Sequence, residues 1–154
     1  MKSENLINKN NQQNLDKNRK IAIVASTYYS EITNNLISGA EKVISSSNMN
    51  GEIIEVEGAL EIPAAINIMR KYFGGFIALG CVIRGETSHY EIVCQNSAMG
   101  LMHLTTQGLF IGNGIITVEN INQALERSDP NKKDKGGDAA KAVINLMILK
   151  QEYK

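Results

Sequence analysis

FIALGCVIRGETSHYE, residues Phe76 to Glu91, spells out in its order of residue types a strand, a tight loop and a helix start. Phe76-Ile77-Ala78-Leu79-Gly80-Cys81-Val82-Ile83 is apolar without alternation, the pattern of a strand buried on both faces. Arg84-Gly85-Glu86-Thr87 breaks it. Ser88-His89-Tyr90-Glu91 then has the S-x-x-E form of a capping box, in which Ser88 accepts from a first-turn amide while the Glu91 carboxylate reaches back. His89 falls at the first helical position, beside free backbone N–H groups and the positive end of the helix dipole, which attracts anions and lowers histidine basicity. Two readings are open for it: a neutral proton shuttle next to an anion pocket, or a polar residue decorating a cap.

Working outward, Lys20-Ile21-Ala22-Ile23-Val24-Ala25 opens a first buried strand that ends at Ser26-Thr27-Tyr28-Tyr29. Ser30 is placed to cap a helix whose apolar stripe is Ile32, Leu36, Ile37, Ala40, Val43 and Ile44. Glu52 to Glu57 reads as a second strand, followed by the loop Gly58-Ala59-Leu60-Glu61 and a helix with Pro63 in its first turn. The helix from Ser88 runs to a stop at Gly108. Leu109 to Val118 is a fourth strand whose Gly112-Asn113-Gly114 suggests a bulge or a close approach. Asn120 caps a short helix reaching Arg127, a polar loop covers Ser128 to Gly137, and a last helix starts at Asp138.

The order βαβαβαβαα predicts a three-layer α/β/α domain with a four-stranded parallel sheet in a flavodoxin-like arrangement and right-handed crossovers. Ligands of such sheets bind beyond the carboxyl ends of the strands. Three loops lie there: Ser26 to Tyr29, Gly58 to Glu61 and Arg84 to Thr87.

Composition bounds the rest. The 154 residues make one domain with a real core, and 16 basic against 16 acidic residues leave no overall field that selects nucleic acid or an anionic membrane. With 43% hydrophobic residues and only 5% aromatic, the core is built from aliphatic side chains. No apolar run reaches the roughly 18 residues of a membrane span. Residues 1–19 are rich in Asn, Lys and Gln and read as a flexible polar leader ahead of a single domain over 20–154, with a cytoplasmic location expected.

For an anion held by the amides of Gly85-Glu86-Thr87, the candidate guanidinium partners are Arg84 and Arg127. His89 and His103 share one helix without carboxylates at ligand spacing, so no metal site is expected, and His103 reads as a partly buried, satisfied residue. Walker, G-x-G-x-x-G and G-x-S-x-G patterns are missing, which argues against the usual nucleotide and hydrolase sites. Cys81 and Cys94 read as buried free thiols, and Cys81 lies within a strand rather than on the strained turn a nucleophile needs.

Several blocks in the order found here resemble the 6,7-dimethyl-8-ribityllumazine synthase family: Gly58-Ala59-Leu60-Glu61-Ile62-Pro63, Leu79 through Tyr90, Thr117-Val118-Glu119-Asn120 with Gln123 to Arg127, and Lys135-Gly136. The resemblance spans about residues 20–150 and implies condensation of 5-amino-6-(D-ribitylamino)uracil with 3,4-dihydroxy-2-butanone 4-phosphate, the penultimate step of riboflavin biosynthesis. It implies no metal or organic cofactor, and a homo-pentamer with active sites between subunits or, as in some members, a 60-subunit shell of such pentamers. It assigns Tyr28 to stacking on the pyrimidine, Ala59, Leu60 and Glu61 to the ribityl chain, and the Val82 and Ile83 backbone to the ring edge. Gly85, Glu86 and Thr87 become the phosphate loop, Arg127 the phosphate-binding arginine of the neighbouring subunit, Lys135 a lysine near the site and His89 the proton-transfer residue. Tyr29, Glu57, Leu60 and Asn113 depart from the residues common in the family, Asn113 standing where many members present an aromatic to the substrate. The different segment Ser128 to Asp134 favours a free pentamer. A non-catalytic lumazine- or flavin-binding protein on the same scaffold is the alternative.

Overall fold

The structure, a computed structural model, describes residues 17–154. Four parallel strands, β1 (Lys20–Ser26), β2 (Asn50–Val56), β3 (Gly75–Ile83) and β4 (Ile111–Val118), form one sheet in the order β2-β1-β3-β4. Five helices connect and cover them: α1 (Ser30–Ser46), α2 (Ile62–Met69), α3 (His89–Thr106), α4 (Ile121–Ser128) and α5 (Lys135–Glu152). The chain starts inside the sheet, winds outward to β2, then returns past β1 to β3 and β4. The direction of winding reverses between β1 and β3, which makes their carboxyl ends the switch point of the fold.

Alternation along β1 divides the core. Ile21, Ile23 and Ala25 pack with Ile32, Leu36 and Ala40 of α1, Ala124 of α4 and Val143 of α5, whereas Ala22 and Val24 pack with Ile62 and Ile66 of α2 and Leu101 and Leu104 of α3. These two apolar layers make the α/β/α sandwich in the flavodoxin-like order that the strand–helix alternation predicts.

Several local expectations change. The Gly112-Asn113-Gly114 segment does not bulge: β4 pairs with β3 in unbroken register from Phe76↔Ile111 to Ile83↔Val118. The glycines serve close approach instead, because a Cβ on Gly112 would stand 2.0 Å from the carbonyl oxygen of Ala139 in α5. Helix α5 likewise begins at Lys135 rather than Asp138. Asp134, in the left-handed region at φ 46°, accepts from the Gly137 N–H at 3.1 Å and starts the helix, while Gly136 rides against the Leu36 carbonyl, 2.0 Å from where its Cβ would be. The glycine pair that looks like loop chemistry is thus a packing surface. Ser30 is already the first helical residue of α1, and no side chain caps that helix.

Most of the polar leader lies outside the described residues. Its last part, Lys17–Arg19, forms a 3-10 turn in which Arg19 is buried and donates to the Asn48 carbonyl at 3.3 Å.

Because the α5 backbone occupies the space of the missing side chain, Gly112→Ala should cost about 1–3 kcal/mol or more through overpacking. Gly85→Ala, whose added methyl meets nothing within 4 Å, should stay within about 0.5 kcal/mol. Denaturant-unfolding midpoints of the two variants check this, and equal losses would refute the packing role of Gly112.

Candidate active site

At the switch point the strand ends and their loops enclose an open cleft of about 370 Å³. Each wall follows from local structure. The β1–α1 turn is tied to the end of β2, since Thr27 N–H donates to the Val56 carbonyl at 3.0 Å and Ser26 Oγ donates to the Glu57 carbonyl at 3.3 Å. Thr33 Oγ1 of α1 donates to the Ser26 carbonyl at 2.6 Å from a buried position. This turn presents Tyr28, 75% exposed, whose inner support is an edge contact with Tyr29 at 4.9 Å and 76°. One aromatic face is therefore open to a planar ligand. Burial foremost, then the neighbouring Tyr28 and Cys81, raises the pKa of Tyr29 and keeps it a neutral phenol.

A second wall is the 3-10 turn Ala59–Glu61, closed by the Glu61 N–H donating to the Gly58 carbonyl at 3.2 Å and followed directly by Pro63 in the first turn of α2. Ala59 is buried, while Leu60 and Glu61 face outward and line the cleft. The floor is Cys81, Val82 and Ile83 of β3, and the third wall is Gly85, Thr87, His89, Tyr90 and Val93.

At the start of α3 the capping box does not form. Ser88 has helical dihedrals, φ −70° and ψ 0°, unlike the extended backbone that aims a capping hydroxyl at the first turn, and its side chain makes no cap bond. Thr87 Oγ1 instead accepts from the His89 N–H at 3.3 Å. The Glu91 carboxylate is drawn aside by the Arg84 guanidinium, whose Nε also binds Glu119 Oε2 at 2.8 Å and whose plane lies 4.2 Å above the Tyr90 ring. Hydrogen bonding to Arg84 accordingly lowers the Glu91 pKa, and hydrogen bonds to Glu91 and Glu119 raise that of Arg84. With both carboxylates attached, Arg84 is the weaker of the two candidate guanidinium partners for an external anion.

Of the residues singled out in the sequence, Tyr28, Ala59, Leu60, Glu61, Val82, Ile83, Gly85, Thr87 and His89 share this cleft. Glu86 is exposed and outside its lining. Asn113, Arg127 and Lys135 lie elsewhere on the chain, in a shallower depression of about 380 Å³ between β4, α4 and α5 that shares no lining residue with the cleft. There Lys135 Nζ binds Asp138 Oδ2 at 3.4 Å, and Asn113 Oδ1 is folded back to accept the Ile115 N–H at 3.0 Å. Tyr29 lines the cleft within the expected Ser26–Tyr29 loop, and Tyr90, next to His89, is a wall that the sequence did not single out. Sequence reasoning also passed over Asp138, whose spacing of three from Lys135 on a helix was the available signal.

The other titratable groups do not compete for the chemistry. Cys81 is buried and its pKa is pushed up to about 11 by desolvation, so at neutral pH it is a thiol and not a thiolate nucleophile. Cys94 is also a free cysteine but, contrary to expectation, only half-buried. His103, contrary to expectation, is exposed, with its ring nitrogen 2.9 Å from Gln107 Nε2. Among the described residues, no group of three or more His, Cys, Asp or Glu is placed to hold a metal ion, and no helix is long and apolar enough to cross a membrane.

Fold and cleft together define an α/β protein whose candidate ligand site sits at the switch point of a parallel sheet, with an aromatic face, a 3-10 turn bearing Glu61 and a histidine-bearing helix start converging on it. Comparison with known proteins narrows the class. A family model described as 6,7-dimethyl-8-ribityllumazine synthase matches residues 18–151. Among similar proteins, the 6,7-dimethyl-8-ribityllumazine synthase of Zymomonas mobilis is 53% identical over 135 residues, covering 86% of this chain and 97% of its own length. The same enzyme of Bartonella bacilliformis is 47% identical over 92% of this chain and 96% of its own, and that of Erythrobacter litoralis 46% identical over 87% and 97%. The chain belongs to the 6,7-dimethyl-8-ribityllumazine synthase family.

Because Cys81 contributes a neutral thiol to the cleft floor, Cys81→Ala should retain turnover within about a factor of 5, the scale of a 1 kcal/mol packing change. Steady-state assay of the purified variant checks this. A loss of several orders of magnitude would mean that the sulfur takes part in the reaction.

Proposed function

We propose that this chain is an enzyme that condenses 5-amino-6-(D-ribitylamino)uracil with 3,4-dihydroxy-2-butanone 4-phosphate to 6,7-dimethyl-8-ribityllumazine, phosphate and water, in riboflavin biosynthesis. The observation that carries the reading is the arrangement of the cleft. An open tyrosine face, a 3-10 turn carrying the Glu61 carboxylate, strand-end backbone and a helix start with His89 surround one space, the elements that a planar heterocycle, a polyol chain and a departing anion would use. No observation supports the non-catalytic binding protein, and the relatives described above are all named as the synthase.

In this reading the pyrimidine stacks on Tyr28, with its ring edge against the backbone of Val82 and Ile83 and its ribityl chain along Ala59, Leu60 and Glu61. The phosphate meets the amides of Gly85, Glu86 and Thr87, so that Glu86 needs to offer only its N–H while its side chain stays in solvent. Attack of the amine on the ketone, loss of phosphate and ring closure all require proton transfers, and His89 at the helix start serves them. Holding two substrates in contact supplies much of the acceleration, so few catalytic groups suffice.

Arg127, Lys135 and Asn113 belong to the same site in this reading, but they reach it from an adjacent copy of the chain. Their depression shares no lining residue with the cleft of their own subunit, and among the described residues no lysine or arginine lines that cleft. We therefore assign the protein to a homo-oligomer with sites between subunits, a cytoplasmic pentamer being the favoured form. The native mass should equal five chain masses.

Purified protein mixed with both substrates should produce the absorbance and fluorescence of the lumazine well above the uncatalysed rate, and a reaction no faster than background would remove the enzymatic reading. His89→Ala should reduce turnover by about 10- to 1,000-fold, in line with the usual worth of positioned proton transfer. Arg127→Ala should raise KM for the phosphate substrate far more than KM for the pyrimidine, and equal effects would contradict its assignment.

A further inference from the structure

We propose that Arg84 is a positioning residue that keeps the start of α3 open to the substrate's anionic group by holding the Glu91 carboxylate to one side. The inference rests on the reading that this group binds the amides of Gly85 to Thr87. Ser88 to Glu91 spells a capping box, and a formed box would set the Glu91 carboxylate over the Ser88 N–H. A fixed negative charge would then occupy the amides and the dipole end that an incoming anion needs. In the structure the carboxylate does not sit over the Ser88 N–H: it is paired with Arg84 and, on the backbone, meets its own N–H. Among the described residues no acceptor is recorded for the N–H groups of Gly85, Glu86, Thr87 or Ser88, while Glu91 is paired with Arg84.

The holding group is itself held. The Arg84 N–H donates to the Val118 carbonyl at 2.9 Å, which fixes its backbone beside the end of β4. Its Nε binds Glu119 Oε2 at 2.8 Å, and the Glu119 N–H in turn donates to Gln123 Oε1 at 2.8 Å in α4. Its plane covers the Tyr90 ring at 4.2 Å, next to His89. One planar group thus engages two carboxylates and an aromatic face at once, which a lysine ammonium cannot do. The side chains of Arg84, Glu91 and Glu119 are 41%, 46% and 56% exposed, and pairs so wet contribute little to stability. Their fixed geometry therefore calls for another purpose, and freeing the binding amides supplies one.

The test measures inorganic phosphate as a competitive inhibitor against the phosphate substrate, with KM for each substrate and kcat, in the wild-type protein and in Arg84→Gln, Arg84→Lys, Glu91→Gln and the double variant Arg84→Gln/Glu91→Gln. Arg84→Gln should weaken phosphate inhibition and raise the phosphate-substrate KM by about 2- to 5-fold, the range for an exposed charge at a helix end, with KM for the pyrimidine little changed. Arg84→Lys should fall between Arg84→Gln and wild type. The double variant should recover phosphate inhibition to near the wild-type value, because the carboxylate that competes is gone. Unfolding midpoints of all variants should stay close to wild type. If Arg84→Gln leaves phosphate inhibition unchanged, or if removing the Glu91 charge brings no recovery, the proposal is overturned. Competition by phosphate in the wild type, weakened in Arg127→Ala, with Arg84→Gln inert, would sink this proposal alone. Absence of phosphate competition in the wild type would sink it together with the anion-site reading.

Discussion

The structure depends on the complete desolvation of its two central strands. Ile21 to Ala25 of β1 and Phe76 to Leu79 of β3 are at most 1% exposed, so each needs a helix layer on both faces and a paired strand on both edges. A parallel sheet with helical crossovers meets that requirement. Parallel pairing then delivers every strand to the same edge of the sheet with its carboxyl end forward. The functional loops converge because the central strands must be dry, and no separate device is needed to gather them.

The two faces of the sheet are packed in different ways, and the difference matters for the site. On the α1/α5 face, backbone meets backbone: Gly112 and Gly136 let α5 sit directly on β4 and α1. Such contacts leave no room for adjustment and hold the α4–α5 region, with Arg127 and Lys135, at a set distance from β4. On the α2/α3 face, ordinary side-chain packing by Ile62, Ile66, Leu101 and Leu104 seats the helices whose amino ends border the cleft. The cleft is therefore walled by helix starts on one side and by the exposed Tyr28 on the other, and its open flank is where a neighbouring copy would stand in the proposed assembly.

What the sequence disclosed follows the same physics. β1 and β3 were legible because burial on both faces leaves an uninterrupted apolar run, and the strand–helix alternation carried the fold and the three ligand loops with it. The start of α5 and the continuity of β4 were not legible, since glycine marks both turns and close packing and only the partner backbone, Leu36 or Ala139, tells them apart. The false capping box has a related cause: the S-x-x-E rule is local, whereas the fate of Glu91 is set by Arg84, seven residues earlier and brought back by the strand-to-helix turn. Within the site, Tyr28 and His89 could be picked out from their place at a strand end and a helix start. The place of Arg127 and Lys135 in a different depression did not follow from topology within one chain; only the family resemblance pointed to a neighbouring copy for Arg127.

A cleft of about 370 Å³ lies at the low end of the range for small-molecule pockets, so two substrates in it would leave little room for water. The charges around it also work against a phosphate: Glu61 lines it, and Arg84, next to Gly85 in sequence, is already shared between two carboxylates. The chain as a whole is neutral, so no long-range field compensates. Binding a dianion there demands cations delivered at short range, and the depression that carries Arg127 and Lys135 has them in surplus over its lone Asp138. If the cleft and this depression are the two halves of one site, as proposed, their complementary charge gives copies a reason to associate that does not depend on apolar contact. In the proposed assembly, substrate capture and association would then draw on the same electrostatics, each subunit offering its neighbour's cleft the cations of that depression.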